Sequence, residues 1–186
     1  AMKKELENRG VLFIADEVQT GWGRTGEHFW GYQAHGMVPD ILTFAKGVAN
    51  GLSLGGLVAR ADLMDSLPGN SLSTFGGNPL SSVGALATIR YMLEHDVQGH
   101  ALRMGDRLVG HLQPAVEASE AVAELRGKGL MRALETVQPG TLEPDAAAAA
   151  QIMEEARAAG LLIGKGGLYG NVLRIAPPMT VTEEEI

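Results

Sequence analysis

The 186-residue chain contains no cysteine. Disulfides, cysteine-ligated zinc and thiol catalysis are thereby excluded. No apolar run approaches the ~20 residues that a membrane-spanning helix requires. No secretory leader is expected at its start, because the charged and apolar blocks of such a leader are missing there. Cations are outnumbered: 15 Lys and Arg against 22 Asp and Glu leave a net charge of −7. A phosphate-binding face has to be basic, so nucleic acid is not an expected partner. The five histidines (His28, His35, His95, His100 and His111) show no metal-ligand spacing with acids, and no metal is expected. The Gly-x-Ser-x-Gly elbow of a serine hydrolase is absent. The run Gly164 to Gly170 has neither the spacing nor the following helix of a nucleotide-binding loop, and reads as a turn.

What the chain does have is a hydrophobic content of 45%, enough for a sizeable core. Its length suits roughly one to one and a half domains. Together these features predict a folded protein of the cytoplasm, with an organelle as the alternative. Two short apolar runs stand out, Val11 to Ala15 ending at Asp16, and Ile41 to Ala45 ending at Lys46. Continuous apolarity predicts parallel strands buried on both faces. Ligands of open α/β sheets bind outside the carboxyl ends of the strands, where Asp16 and Lys46 would both lie. A third strand is expected near Gly56 to Ala59 after the Asn50-Gly51 turn.

Asn78-Pro79 pairs a good N-cap with proline at the first helical position, predicting a helix to about Glu94. Along it Val83, Leu86, Ile89 and Leu93 repeat at helical spacing. A second helix after Gly99 carries Leu102, Leu108, Leu112 and Val116 on one side. Beyond it, a strand is expected over Leu130 to Val137 following a Gly127-Lys128-Gly129 turn. An Ala-rich helix capped by Asp145 should follow, then short strands at Leu161 to Ile163 and Val172 to Ile175. Thr182 and Glu185 form a capping box. The fold class is α/β: part of a mostly parallel sheet domain over residues 1–95, then a small α+β domain over 96–186. A charged helix tail before Gly10 and a helix start at Thr182 point to a segment of a longer protein.

A lysine amine attacks a carbonyl only when neutral, and partial burial favours that form. A strand-end aspartate can hold a heteroaromatic nitrogen protonated, as pyridoxal phosphate needs. Either residue alone reads more simply as a surface or turn residue. The segments IADEVQTGWGRTG, HFWGYQAHGMVPDILTFAKG, STFGGNP and NVLRIAPPMTVTEEEI, in this order, resemble the class III aminotransferases. These are pyridoxal-phosphate enzymes of fold type I. The look is closest to the alanine–glyoxylate branch, with amine phospho-lyases next.

The resemblance implies pyridoxal 5'-phosphate as cofactor and a homodimer with shared sites. It implies that Asp16 pairs with the pyridine nitrogen, that Val18 packs on the ring and that Gln19 bonds the phenolic oxygen. Lys46 would form the Schiff base and shuttle the proton. Thr74 would reach the cofactor phosphate of the neighbouring subunit, and Arg174 would grip a substrate carboxylate through paired hydrogen bonds. Alternation along its strand would place Arg174 opposite Leu173 and Ile175. Arg24 reads as structural, bridging loop and backbone. Trp22 stands where phenylalanine is more usual, and Trp22, Phe29 and Trp30 read as core or channel aromatics. The expected reaction moves an amino group from an amino acid or amine to a keto acid such as pyruvate or glyoxylate. A phospho-lyase of the same family, or a segment inactive by itself, are the alternatives. The family's upstream phosphate-binding loop and its ring-stacking aromatic are not in this sequence.

Overall fold

The computed structural model describes residues 2–69 and 71–186. The chain forms two compact units, one of residues 1–23 and 28–98, the other of 24–27 and 99–186.

The first unit begins with helix α1 (Met2–Asn8), then strand β1 (Ile14–Asp16). A single-turn helix at Gly31–His35 precedes β2 (Ile41–Phe44), and a second at Lys46–Ala49 precedes β3 (Gly56–Ala59). The short α2 (Ala61–Met64) and the long α3 (Pro79–Glu94) complete it. The sheet order is β1-β2-β3. β1 and β2 are parallel, as expected, with Asp16 opposite Thr43; β3 is antiparallel to β2.

Two expectations fail in this sheet. β1 is shorter than its apolar run, with Val11 and Leu12 outside it and exposed. Burial on both faces is not seen either: Ala15 and Leu42 are buried, but Ile14 is 54% exposed. Asp40, just ahead of β2, explains where the sheet starts. Its carboxylate accepts from the Phe13 N–H (2.8 Å), the Lys3 ammonium and the Arg60 guanidinium (2.7 Å). These donors bring α1, the lead into β1 and the end of β3 to one anion. Foremost the Lys3 hydrogen bond, then the Phe13 N–H, hold the Asp40 carboxyl at about 2.

α3 starts as the sequence dictates: the Asn78 side-chain oxygen accepts the Ser81 N–H at 3.0 Å, and Pro79 is the first helical residue. Its apolar repeat, however, faces outward. The buried residues are Ser81, Ala85 and Met92, whereas Val83 and Leu93 are about two-thirds exposed. Small residues on the inner side permit close approach to the Lys46–Ala49 turn. A Cβ on Gly84 would strike Leu52 at 2.4 Å.

The second unit comprises α4 (Val97–Glu117, its first two residues counted with the first unit), β4 (Val122–Lys128), β5 (Met131–Thr136), α5 (Ala146–Ala158), β6 (Gly164–Gly166) and β7 (Val172–Ile175). Its antiparallel sheet runs β4-β5-β7-β6. β4 was not legible as a strand; its exposed residues are Ala123, Glu124 and Arg126–Lys128, and it takes in Gly127 and Lys128, moving the expected turn to Gly129 and Leu130. Likewise the strand expected at Leu161 to Ile163 is irregular, and the glycines after it form β6 instead. Pairing with β7 outweighs the low strand propensity of glycine there.

α4, β5, α5 and β7 meet in a core of Val116, Leu134, Ala149 and Leu173. Complete burial of Leu173 contributes roughly 1.5–3 kcal/mol. A second cluster joins Ala101, Met104, Leu130 and Val181. Residues 24–27 lie among these elements. The Arg24 carbonyl accepts the Leu130 N–H (3.2 Å), and its guanidinium donates to the carbonyls of Pro177 (2.6 Å) and Leu130 (3.3 Å). Burial lowers the pKa of this arginine. Arg24 is the structural bridge read from the sequence. The two reciprocal bonds expected of Thr182 and Glu185 are present too, at 2.8 and 3.3 Å, but residues 183–185 form a turn and not the expected helix start.

Candidate active site

At the carboxyl end of β1 the chain turns sharply. Asp16 is exposed, and its Oδ1 accepts the Val18 N–H at 3.1 Å, an Asx turn that orients the carboxylate. Val18 is half-buried and Gln19 exposed beside it. Two residues past the end of the neighbouring strand β2, and three beyond the partner of Asp16, stands Lys46, the first residue of the Lys46–Ala49 turn. Parallel strands are about 4.8 Å apart, so both groups emerge from the same end of adjacent strands. Asp16, Val18, Gln19 and Lys46 are thus brought to one sheet edge.

Lys46 is exposed, so the expected partial burial is absent within this chain. Its backbone carries a different feature. Lys46 has φ +48°, a left-handed conformation uncommon for a residue with a β-carbon. Such strain persists where surrounding structure fixes it. Here β2 holds one side of Lys46, and Val48 and Ala49, both buried, anchor the other. An aromatic cluster packs beneath. Trp22 (φ +61°) meets Phe29, Trp30 and Phe44 edge-on, with ring centroids 5.6, 4.8 and 5.5 Å away. A Cβ on Gly47 would touch Trp22 Cδ1 at 3.7 Å, so the indole lies directly against the turn carrying Lys46. These aromatics are core. The Trp22 indole N–H is buried without an acceptor among the described residues.

Thr74 lies on an exposed loop ahead of α3. The Ser73 hydroxyl accepts the Gly76 N–H (3.1 Å) and the Asn78 side chain accepts the Ser81 N–H, so both of these amides are engaged within the segment. In the second unit Arg174 is exposed on β7 between fully buried Leu173 and half-buried Ile175, the alternation expected. Its stem crosses β6, where a Cβ on Gly166 would come within 3.3 Å of Arg174 Cδ.

The donor set at the β1–β2 edge fits pyridoxal phosphate in kind: an anion for a ring nitrogen, an amide for a phenolic oxygen, a β-branched apolar face and an amine. The model for class III aminotransferases matches residues 2–186. The chain belongs to that family. It is 41% identical to an alanine–glyoxylate aminotransferase 2 homologue of Arabidopsis thaliana, over 97% of this chain and 38% of that one. An alanine/serine racemase of Pyrococcus horikoshii is 39% identical over 98% of this chain and 38% of its own. Among solved structures, an Arthrobacter phospholyase in complex with phosphoethanolamine superposes with a TM-score of 0.92 at 34% identity, covering 98% of this chain and 44% of that one. The class III chain therefore spans about two-fifths of the length of the relatives it matches, and its units are α/β as in the fold type I enzymes. No helix among the described residues is long and apolar enough to cross a membrane.

One residue beside the candidate site escaped the sequence reading. Glu17 follows Asp16 directly and is 3% exposed, a buried acid beside the candidate centre. Alternation along β1 was the signal: if Asp16 faces outward, the next side chain faces in.

Proposed function

We propose that the full-length protein is a pyridoxal-phosphate-dependent aminotransferase, moving an amino group from an amino acid or amine to a keto acid such as pyruvate or glyoxylate. The observation that carries this reading is that Asp16 ends β1 and Lys46 follows the carboxyl end of the adjacent parallel strand β2 in a class III chain. When bound, the cofactor supplies an electron sink for the substrate's α-carbon bond. Asp16 would hold the ring nitrogen protonated, Val18 would cover one ring face and Gln19 would donate to the phenolic oxygen. The Lys46 amine would hold the cofactor and then carry the proton removed from the substrate carbon. Arg174 suits a substrate carboxylate, because its guanidinium donates two parallel hydrogen bonds.

Thr74 would serve the cofactor phosphate of a second subunit, making the enzyme a homodimer. Its surroundings support that role. Leu72 and Phe75, on either side of it, are 94% and 81% exposed, which for large apolar residues marks a surface made to be covered.

The likeness to the phospholyase favours one rival reading, elimination of phosphate from a phosphorylated amine. A single experiment addresses both. Full-length protein is reduced with borohydride and digested, and the labelled peptide is sequenced; turnover of amino donors is followed with and without keto acid. The expected label is on Lys46, with amino transfer that depends on keto acid. Label on another lysine overturns the assignment. Phosphate release from phosphoethanolamine without keto acid selects the lyase.

A further inference from the structure

The Glu17 carboxylate makes three hydrogen bonds, all within the first unit. Oε2 accepts the Thr20 hydroxyl (2.7 Å) and the Gly31 N–H (2.7 Å), and Oε1 accepts the Tyr32 N–H (2.7 Å). Its backbone is fastened as well. The Glu17 N–H donates to the Thr43 carbonyl at 2.9 Å, extending the β1–β2 ladder past Asp16, and its carbonyl accepts the Gly21 N–H at 3.0 Å. The segment it grips is packed against it without slack. A Cβ on Gly31 would lie 2.7 Å from Thr20 Cβ, and one on Gly21 would lie 2.6 Å from the Trp30 ring.

We propose that Glu17 is a positioning residue, a carboxylate clasp that fixes the Asp16–Gln19 turn by tying it to the backbone at Gly31 and Tyr32. The link to Asp16 is short. The Asp16 carboxylate is oriented by the Val18 N–H, and Glu17 is the residue between them. Rotation at Glu17 moves that N–H, and with it the acid that would face the ring nitrogen. Glutamine at this position keeps the shape but presents an amide N–H to at least one of three donors. Charge-assisted bonds to backbone N–H groups are roughly twice as strong as neutral ones, so the clasp loosens even where the glutamine fits. A displacement near 1 Å in a positioned group can cost about 100-fold in rate.

This inference rests on the cofactor reading above, and the test separates the two. Wild type, Glu17→Gln, Thr20→Val and Lys46→Ala are prepared as full-length protein. For each, amide hydrogen exchange at Val18, Gly31 and Tyr32, kcat and KM, and the pH dependence of the cofactor's visible band are measured. For Glu17→Gln we expect exchange at the three amides to rise at least tenfold, kcat to fall about 10- to 100-fold with KM within threefold, and the band to titrate at a shifted pH. Thr20→Val, which removes one of the three bonds, should give the same pattern at smaller size and decides the matter if Glu17→Gln does not fold. Unchanged exchange, kcat and band in the folded variant overturn the clasp. A fall in thermal stability with no change in band or kcat does so too, since it assigns Glu17 to folding alone. If Lys46→Ala remains fully active, the cofactor reading fails, whereas an inactive Lys46→Ala beside a silent Glu17→Gln means that only the clasp fails.

Discussion

Asp40 is held by donors from three separate stretches of chain, and its acidity follows from them. Because its folded carboxyl titrates near 2 against an ordinary 3.8, the unfolded chain takes up the proton first as pH falls. The contribution of Asp40 to stability is therefore complete above about pH 4 and is lost between there and pH 2. Urea midpoints measured from pH 5 to pH 2 should fall more steeply for wild type than for Asp40→Asn; equal slopes would remove Asp40 from the linkage. None of this was legible in the sequence, where Pro39-Asp40 reads only as the approach to a strand. Buried acids declare themselves by their donors, and the donors here are a lysine far up the chain, a main-chain amide and an arginine past β3. The places of Asp16 and Lys46 at strand ends were legible because each ends an apolar run, a purely local signal, whereas the roles proposed for them came from the family resemblance. The left-handed backbone of Lys46 was not, since it comes from β2 on one side and two buried residues on the other.

At the scale of elements, local chemistry spoke most clearly at the ends of helices. The caps at Asn78 and Asp145 formed as the residue types dictate, and the Thr182 bonds formed as well, over a turn. Replacing Asn78 by alanine should cost about 1 kcal/mol by removing the bond to the Ser81 N–H, a loss measurable as a lower denaturant midpoint with unchanged slope. The inner face of α3 was read less well, because helical periodicity reveals a stripe but not which stripe is covered. Ser81, Ala85 and Met92 point inward, while the more apolar Val83, Leu86 and Leu93 point out. Strands gave the poorest reading. β4 alternates weakly and β6 is two-thirds glycine, so only pairing with a neighbour identifies them as strands. Pairing is a relation between distant segments, and no window of sequence contains it.

For the whole molecule, the division into two units cuts across the order of the chain. Residues 24–27 interrupt the first unit and are built into the second. Arg24 donates to two carbonyls there, and Gly129 is pressed so close that a Cβ would lie 2.7 Å from the Arg24 carbonyl oxygen. Arg24→Ala strands both acceptors and should cost about 1–3 kcal/mol. The damage should appear as faster amide exchange in β5 and β7, with the fluorescence of Trp22 and Trp30, both in the first unit, left as it was. Anyone recombining this chain with a relative faces the same wiring. A crossover at Gly99 looks like a clean seam, yet it would pair the recipient's Arg24-Thr25-Gly26-Glu27 with a donor's hairpin. A chimaera that exchanges residues 99–186 must carry those four residues along, as one module encoded in two places.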